Sequence, residues 1–191
     1  MRLCPTPPTL GEDTGRGVEV FNVNTDERIR IGHIPARVCR HSDSGPAPTV
    51  LLVHGLGVDI GIQSAELHRL ADAGFCAVGI DAVGHGQRRW PDFEARFRRD
   101  NSQAFAQILD ESLDELPSLV DGLIASGLAA PEHIGMAGIS MGGFITYGSA
   151  LVEPRLKVLC PILGSPCWPL PARHQPEQHP QCFFPRALLS H

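Results

Sequence analysis

The sequence predicts an α/β protein, a mostly parallel twisted sheet with helices on both faces. Three observations carry that reading: apolar runs of strand length with no polar alternation, helical segments interleaved with them, and glycine-rich turns where strands end. Thr49-Val50-Leu51-Leu52-Val53 is such a run, as is Phe75-Cys76-Ala77-Val78-Gly79-Ile80-Asp81. A strand buried on both faces needs apolar side chains at every position, whereas a half-exposed strand alternates.

The elements follow in order. Residues 18–23 and 28–35 are β-rich, and Asn24-Thr25-Asp26-Glu27 between them has turn composition, so an N-terminal antiparallel hairpin is expected. The polar stretch 41–48 leads into the first core strand at 49–53. A helix is expected over 63–73, with Leu67, Leu70 and Ala71 on one face and Gly74 as its stop. The second core strand covers 75–81. From 102 to 126 apolar residues recur at helical spacing, and Pro117 within them predicts a kink. A third core strand at 133–139 runs into a helix at 141–151, and 156–163 makes a fourth. After Gly164 the prolines at 166, 169, 171, 176 and 180 exclude a long helix or central strand, so 165–182 reads as a loop or lid. Residues 187–190 resume a strand-like pattern.

Composition narrows the function classes. A chain of 191 residues lies within the range of one domain. Its 42% apolar and 19% charged content, with a mean hydropathy of -0.03, fits a globular protein in water. No apolar run approaches the roughly 20 residues of a membrane helix, and prolines at 5, 7 and 8 interrupt any signal-peptide core, so a cytoplasmic protein is expected. The arginines at 88, 89, 96, 98 and 99 are interspersed with Asp92, Glu94 and Asp100, and the net charge is -5. That pattern reads as a solvated face, and no nucleic-acid partner is expected. Six cysteines without a C-x-x-C pair read as reduced thiols, with Cys76 and Cys160 expected inside strands.

The strongest chemical signal is Gly138-Ile139-Ser140-Met141-Gly142-Gly143, between an expected buried strand and an expected helix. A serine on a sharp strand-to-helix turn holds a strained backbone, and small residues two positions either side keep side chains from colliding. The turn lifts the Ser140 hydroxyl above the sheet, and the Met141 N–H at the helix start can meet a developing oxyanion. The second signal is His54-Gly55-Leu56-Gly57, where a glycine-rich turn can bring the Leu56 N–H to the same oxyanion. Both turns fall where an open parallel sheet places ligands, at the C-terminal ends of strands.

Taken with Asp81-Ala82-Val83-Gly84-His85-Gly86-Gln87-Arg88, these ordered motifs resemble the α/β-hydrolase superfamily, and within it the small bacterial esterases of dienelactone-hydrolase and prolyl-oligopeptidase-like type. The resemblance spans about residues 18–189. It implies an eight-stranded, mostly parallel sheet, acyl-serine chemistry on a small ester or related acyl substrate, no metal and no organic cofactor. Ser140 is then the nucleophile and Leu56 and Met141 the oxyanion donors. His54, Gly55, Gly57, Asp81, His85, Gly138, Gly142 and Trp168 shape the site, with His85 structural rather than catalytic.

The chain departs from the family after Ser140. It holds no aspartate there; Glu153 and Glu177 are the only carboxylates, and His174, His179 and His191 the only imidazoles. The family order of serine, acid and C-terminal histidine is not met, so the last strands are expected to be missing and activity to be impaired. Two other readings remain open at this stage. One is a non-catalytic binding domain that keeps the pocket. The other is a zinc-binding loop at Cys167, His174, His179 and Cys182, whose spacing matches no common zinc module.

Overall fold

The computed structural model describes residues 24–41 and 47–166. Six strands form one sheet: β1 (Asn24–Ile31), β2 (Ile34–His41), β3 (Ala47–Val53), β4 (Cys76–Ile80), β5 (Ala129–Ile139) and β6 (Leu156–Ile162), in the order β1-β2-β4-β3-β5-β6. The β3, β4, β5 and β6 strands run parallel, while β1 and β2 join antiparallel at one side. Four helices accompany them: α1 (Ser64–Asp72), α2 (Phe93–Arg99), α3 (Asn101–Ala125) and α4 (Met141–Val152).

Both faces of the sheet are built on the apolar runs. Leu51, Val53, Val78, Ile134 and Met136 join Ile108, Leu109, Leu113, Leu116 and Ile145 in the larger core, under α3 and α4. On the opposite face Leu67 and Ala71 of α1 pack on Cys39, Leu52 and Ala77. Every residue of β4 is buried, which explains its unbroken apolar sequence. Each fully buried leucine contributes about 1.5–3 kcal/mol over its exposed state, so this two-sided burial is what orders the strands. Gly74 ends α1 at φ +89, with Gly74 and Phe75 N–H groups returned to the last carbonyls of the helix.

Three expectations are corrected. The hairpin is present, but its turn is Gly32-His33, because Ile31 pairs with Ile34 and Gly32 takes φ +60. Asn24, Thr25, Asp26 and Glu27 lie within β1 instead: Arg37 on the facing strand holds Asp26 through two hydrogen bonds of 2.7 and 2.6 Å, a cross-strand pairing that composition does not reveal. The arginine-rich segment contains the unexpected helix α2, on which Arg96 pairs with Asp92 and stacks 4.4 Å from the Trp90 ring, while Arg89 pairs with Glu94 and lies 4.4 Å over Phe93. Cys160 is exposed rather than packed, because β6 borders only β5 and its outer face, with Val158 66% exposed, is bare among the described residues. The α3 helix continues through Pro117, whose carbonyl accepts from Arg155 Nη2 at 3.1 Å. Residues 18–23, the proline-rich stretch beyond Pro166 with Trp168, the Cys167/His174/His179/Cys182 loop and residues 187–190 lie outside the described residues. Among the described residues no helix is long and apolar enough to cross a membrane.

Candidate active site

Ser140 stands between the end of β5 and the start of α4 at φ 54, ψ -112, one of two non-glycine residues with positive φ among those described. Such a conformation costs a side-chain-bearing residue about 1–3 kcal/mol and persists only where its surroundings enforce it. They do so here. Its N–H donates to the Ile162 carbonyl at 2.8 Å, and its own carbonyl receives the Phe144 N–H at 3.0 Å. Ser140 is exposed, and its hydroxyl is not spent on capping α4.

The flanking glycines are explained by backbone contact. A Cβ on Gly138 would lie 2.2 Å from the Gly142 oxygen, and one on Gly142 would lie 2.1 Å from the Val53 oxygen. On Gly143 it would meet the Ile162 oxygen at 2.5 Å. The turn is therefore wedged between the ends of β3 and β6. Met141, fully buried as a side chain, gives the first N–H of α4, which has no carbonyl one turn back to receive it.

The turn after β3 is drawn to the same point. The Gly142 N–H donates to the His54 carbonyl at 3.1 Å, and a Cβ on Gly55 would stand 3.7 Å from the Ser140 Cβ. Leu56 follows, 40% exposed, and Gly57 takes φ +80. The structure thus brings Gly55, Ser140, Met141 and Gly142 together at the C-terminal ends of β3 and β5, with Leu56 next in the β3 turn.

His54 and His85 join the two loops, through a reciprocal pairing the sequence did not reveal. Both imidazoles are fully buried, with ring centroids 5.2 Å apart. His54 Nδ1 donates to the Gly55 carbonyl at 2.8 Å, and its Nε2 accepts from the Ala82 N–H at 3.2 Å. His85 mirrors this: Nδ1 donates to the Val83 carbonyl at 2.9 Å, and Nε2 accepts from the Gly57 N–H at 3.0 Å. Each histidine accepts an amide from the other's loop, so the turns after β3 and β4 are clasped reciprocally. The arrangement requires neutral rings. Burial lowers the pKa of both from the ordinary histidine value, outweighing the hydrogen bonds that oppose it.

Asp81 completes the clasp. Its buried carboxylate accepts the Ile60 N–H at 3.0 Å on one oxygen and the Gln87 N–H at 2.9 Å on the other. Gly86, at φ +53, leaves room for it, since a Cβ there would lie 2.2 Å from the carboxyl carbon. Asp81 therefore holds loops with both of its carboxylate oxygens. Glu153 is equally committed. It is buried at the far end of α4, a 12-residue helix about 18 Å long, so it stands a full helix away from Ser140. Burial pushes its carboxyl upward, but hydrogen bonds from the Arg155 backbone and guanidinium, at 2.6 to 3.0 Å, overcome that and leave it below its ordinary value.

The family described as serine aminopeptidase, S33, matches residues 44–184. The chain belongs to this family of α/β-hydrolases. That S33 match covers the turn after β3 and the turn that carries Ser140. Among curated relatives, the provisionally named esterase YitV of Bacillus subtilis is 30% identical over 140 residues, 70% of this chain and 50% of that protein. The esterase YjfP of Escherichia coli is 27% identical over 120 residues, 63% of this chain and 46% of that protein. The chain spans about half the length of these relatives. A provisionally assigned dienelactone hydrolase of Klebsiella pneumoniae superposes with a TM-score of 0.62 at 20% identity, over 75% of this chain and 61% of that one. A 2,6-dihydroxy-pseudo-oxynicotine hydrolase gives 0.55 at 22% identity, over 76% and 38%. At those identities the likeness is one of fold, and it agrees with the mixed sheet and paired helix layers of this S33 chain.

Proposed function

We propose that this chain carries the nucleophile half of a serine hydrolase acting on carboxylic esters or related acyl bonds through an acyl-Ser140 intermediate. The observation that carries the reading is the pairing of a strained, exposed Ser140 with the glycine turn at Gly55, whose position lies against the Ser140 side chain.

In this reading Ser140 Oγ attacks the acyl carbon, its proton leaving to a base, and the carbonyl oxygen becomes an oxyanion between the Leu56 and Met141 N–H groups. Two preorganised donors aimed at developing charge are worth about 3–4 kcal/mol each when removed singly from comparable sites. The intermediate collapses by expelling the alcohol, which takes up the proton, and water then hydrolyses the acyl-serine with the same two donors. The His54–His85 clasp and Asp81 position the Leu56 turn without touching substrate. The esterase names of the two curated relatives support a small acyl substrate over a macromolecular one.

Turnover also needs a base for the Ser140 proton. The buried imidazoles beside the site are spent on backbone amides, and Glu153 is paired with Arg155. Without a paired base among the described residues Ser140 is a weak nucleophile, so in this reading the chain hydrolyses esters well below the enzyme median. Steady-state hydrolysis of p-nitrophenyl acetate tests this. A weak rate abolished by Ser140→Ala is expected. A turnover near the enzyme median of about 10 s⁻¹ would overturn the impairment, and a rate indifferent to Ser140→Ala would overturn the mechanism.

A further inference from the structure

Far from Ser140, at the hairpin edge of the sheet, three elements direct metal-binding groups at one point. Asp26 of β1 and Cys39 of β2 are direct cross-strand partners, and His68 reaches them from α1. Their ligand atoms, a carboxylate oxygen, the thiol sulfur and an imidazole nitrogen, all lie within 4.8 Å of one another. We propose that Asp26, Cys39 and His68 form a zinc(II) site that ties the N-terminal hairpin to α1.

The geometry is close to what zinc needs. Zinc bonds of about 2.0–2.1 Å to nitrogen and oxygen, in a tetrahedron, put those two ligands about 3.3 Å apart. His68 Nε2 and Asp26 Oδ2 already stand 3.1 Å apart. Bringing the sulfur to its bonded distance of about 2.3 Å requires a shift on the order of an ångström in the loosest of the three separations. Asp26 is exposed and His68 half-buried, which leaves the fourth position open to water. One thiolate, one imidazole and one carboxylate select zinc over magnesium or calcium, whose preferred ligands are all oxygen.

Arg37 sets the strength. Its guanidinium holds both carboxylate oxygens of Asp26, orienting the ligand as an outer partner does in established zinc sites. Its positive charge also opposes the incoming cation, so the affinity falls below that of closed structural sites. Binding replaces the Cys39 thiol proton, which is released to solvent, and His68 gives its Nε2 lone pair once the Nε2 proton it shares with Asp26 in this structure has passed to Nδ1 through solvent. The site lies three strands from β5, about 14 Å across the sheet, so the metal stands outside any acyl chemistry at Ser140.

Cobalt(II) and zinc(II) titration of the full chain tests the proposal. One equivalent of cobalt should bind with the near-ultraviolet band of thiolate-to-cobalt charge transfer, and zinc should displace it. Cys39→Ser should abolish the band and His68→Ala weaken binding by about tenfold or more, since even outer partners of zinc ligands are worth that much. Because His68 is half-exposed, its variant keeps the test valid if Cys39→Ser fails to fold. The double variant Cys167→Ser/Cys182→Ser should leave the band unchanged. No binding by the native chain, a band that survives Cys39→Ser, binding indifferent to His68→Ala, or a band lost in the Cys167/Cys182 double variant would each overturn the assignment.

Discussion

Replacing Gly142 by alanine should destabilise the protein far more than the same change at Gly148, although both residues lie in α4. Alanine gains about 1 kcal/mol of helix propensity over glycine at either position. What differs is the wall each new methyl meets. At Gly142 it would stand 2.1 Å from the Val53 oxygen, 2.7 Å from the Val53 carbonyl carbon and 2.9 Å from the His54 oxygen, all backbone of a central strand that cannot retreat. Overpacking of this kind costs about 1–3 kcal/mol and sometimes more, and the Gly142 N–H bond to His54 adds about 1 kcal/mol when lost. At Gly148 the methyl meets the tip of Leu113, at 2.7 Å from one terminal carbon. A side chain can turn away for about 0.5–1.5 kcal/mol, nearly cancelled by the propensity gain. The net expectation is a loss of about 1–3 kcal/mol for Gly142→Ala against less than about 1 kcal/mol for Gly148→Ala. In thermal unfolding that separates the variants by roughly 2–8 °C. If urea midpoints placed Gly142→Ala level with or above Gly148→Ala, the wedge between β3 and α4 would not be holding the serine turn as described.

Three further outcomes follow from the loop clasp and the α4 terminus. Because the folded-state pKa values of His54 and His85 lie below the unfolded value of about 6.5, the unfolded chain binds more protons as pH falls past that point. Their contribution is therefore complete above pH ~6.5 and is lost on acidification, so the urea midpoint should fall between pH 7.5 and 5. An unchanged midpoint over that window would contradict buried neutral rings; the Asp26 carboxyl, held at about 2 chiefly by its Arg37 hydrogen bond, is lost only at much lower pH. Asp81→Asn presents an amide NH₂ to one of two backbone N–H groups and should cost about 1–3 kcal/mol, read as a lower melting temperature with secondary structure retained. Arg155→Ala strands the buried Glu153 carboxylate and should cost about 3 kcal/mol or more, whereas the double variant with Glu153→Gln recovers part of that loss in a denaturation cycle.

The parallel strands were legible because burial on two faces leaves an uninterrupted apolar signature, as in residues 49–53 and 76–80. The serine turn was legible for a related reason, since close backbone approach at positions 138, 142 and 143 admits only glycine. The hairpin turn was misplaced because Asn24-Thr25-Asp26-Glu27 has turn chemistry that the Arg37 pairing overrides, and Gly32 alone marks the true turn. The α2 helix hid in its charges, as Arg96 within it is tied to Asp92 and the Trp90 ring and Arg89 before it to Glu94 and the Phe93 ring, partners whose approach only the fold creates. The exposure of Cys160 could not be read from β6 itself, whose composition is that of an inner strand. The roles of His54 and His85 depend on two loops meeting, and a sequence lists them 31 positions apart without saying that each accepts the other's amide.

Incubation with an alkyl fluorophosphonate, followed by intact-mass and peptide mapping, bears most directly on the acyl-transfer reading. A single adduct forming slowly on the peptide that contains Ser140, and absent from Ser140→Ala, is the expected result. An unmodified protein after prolonged exposure, or a phosphonylated residue elsewhere, would contradict it.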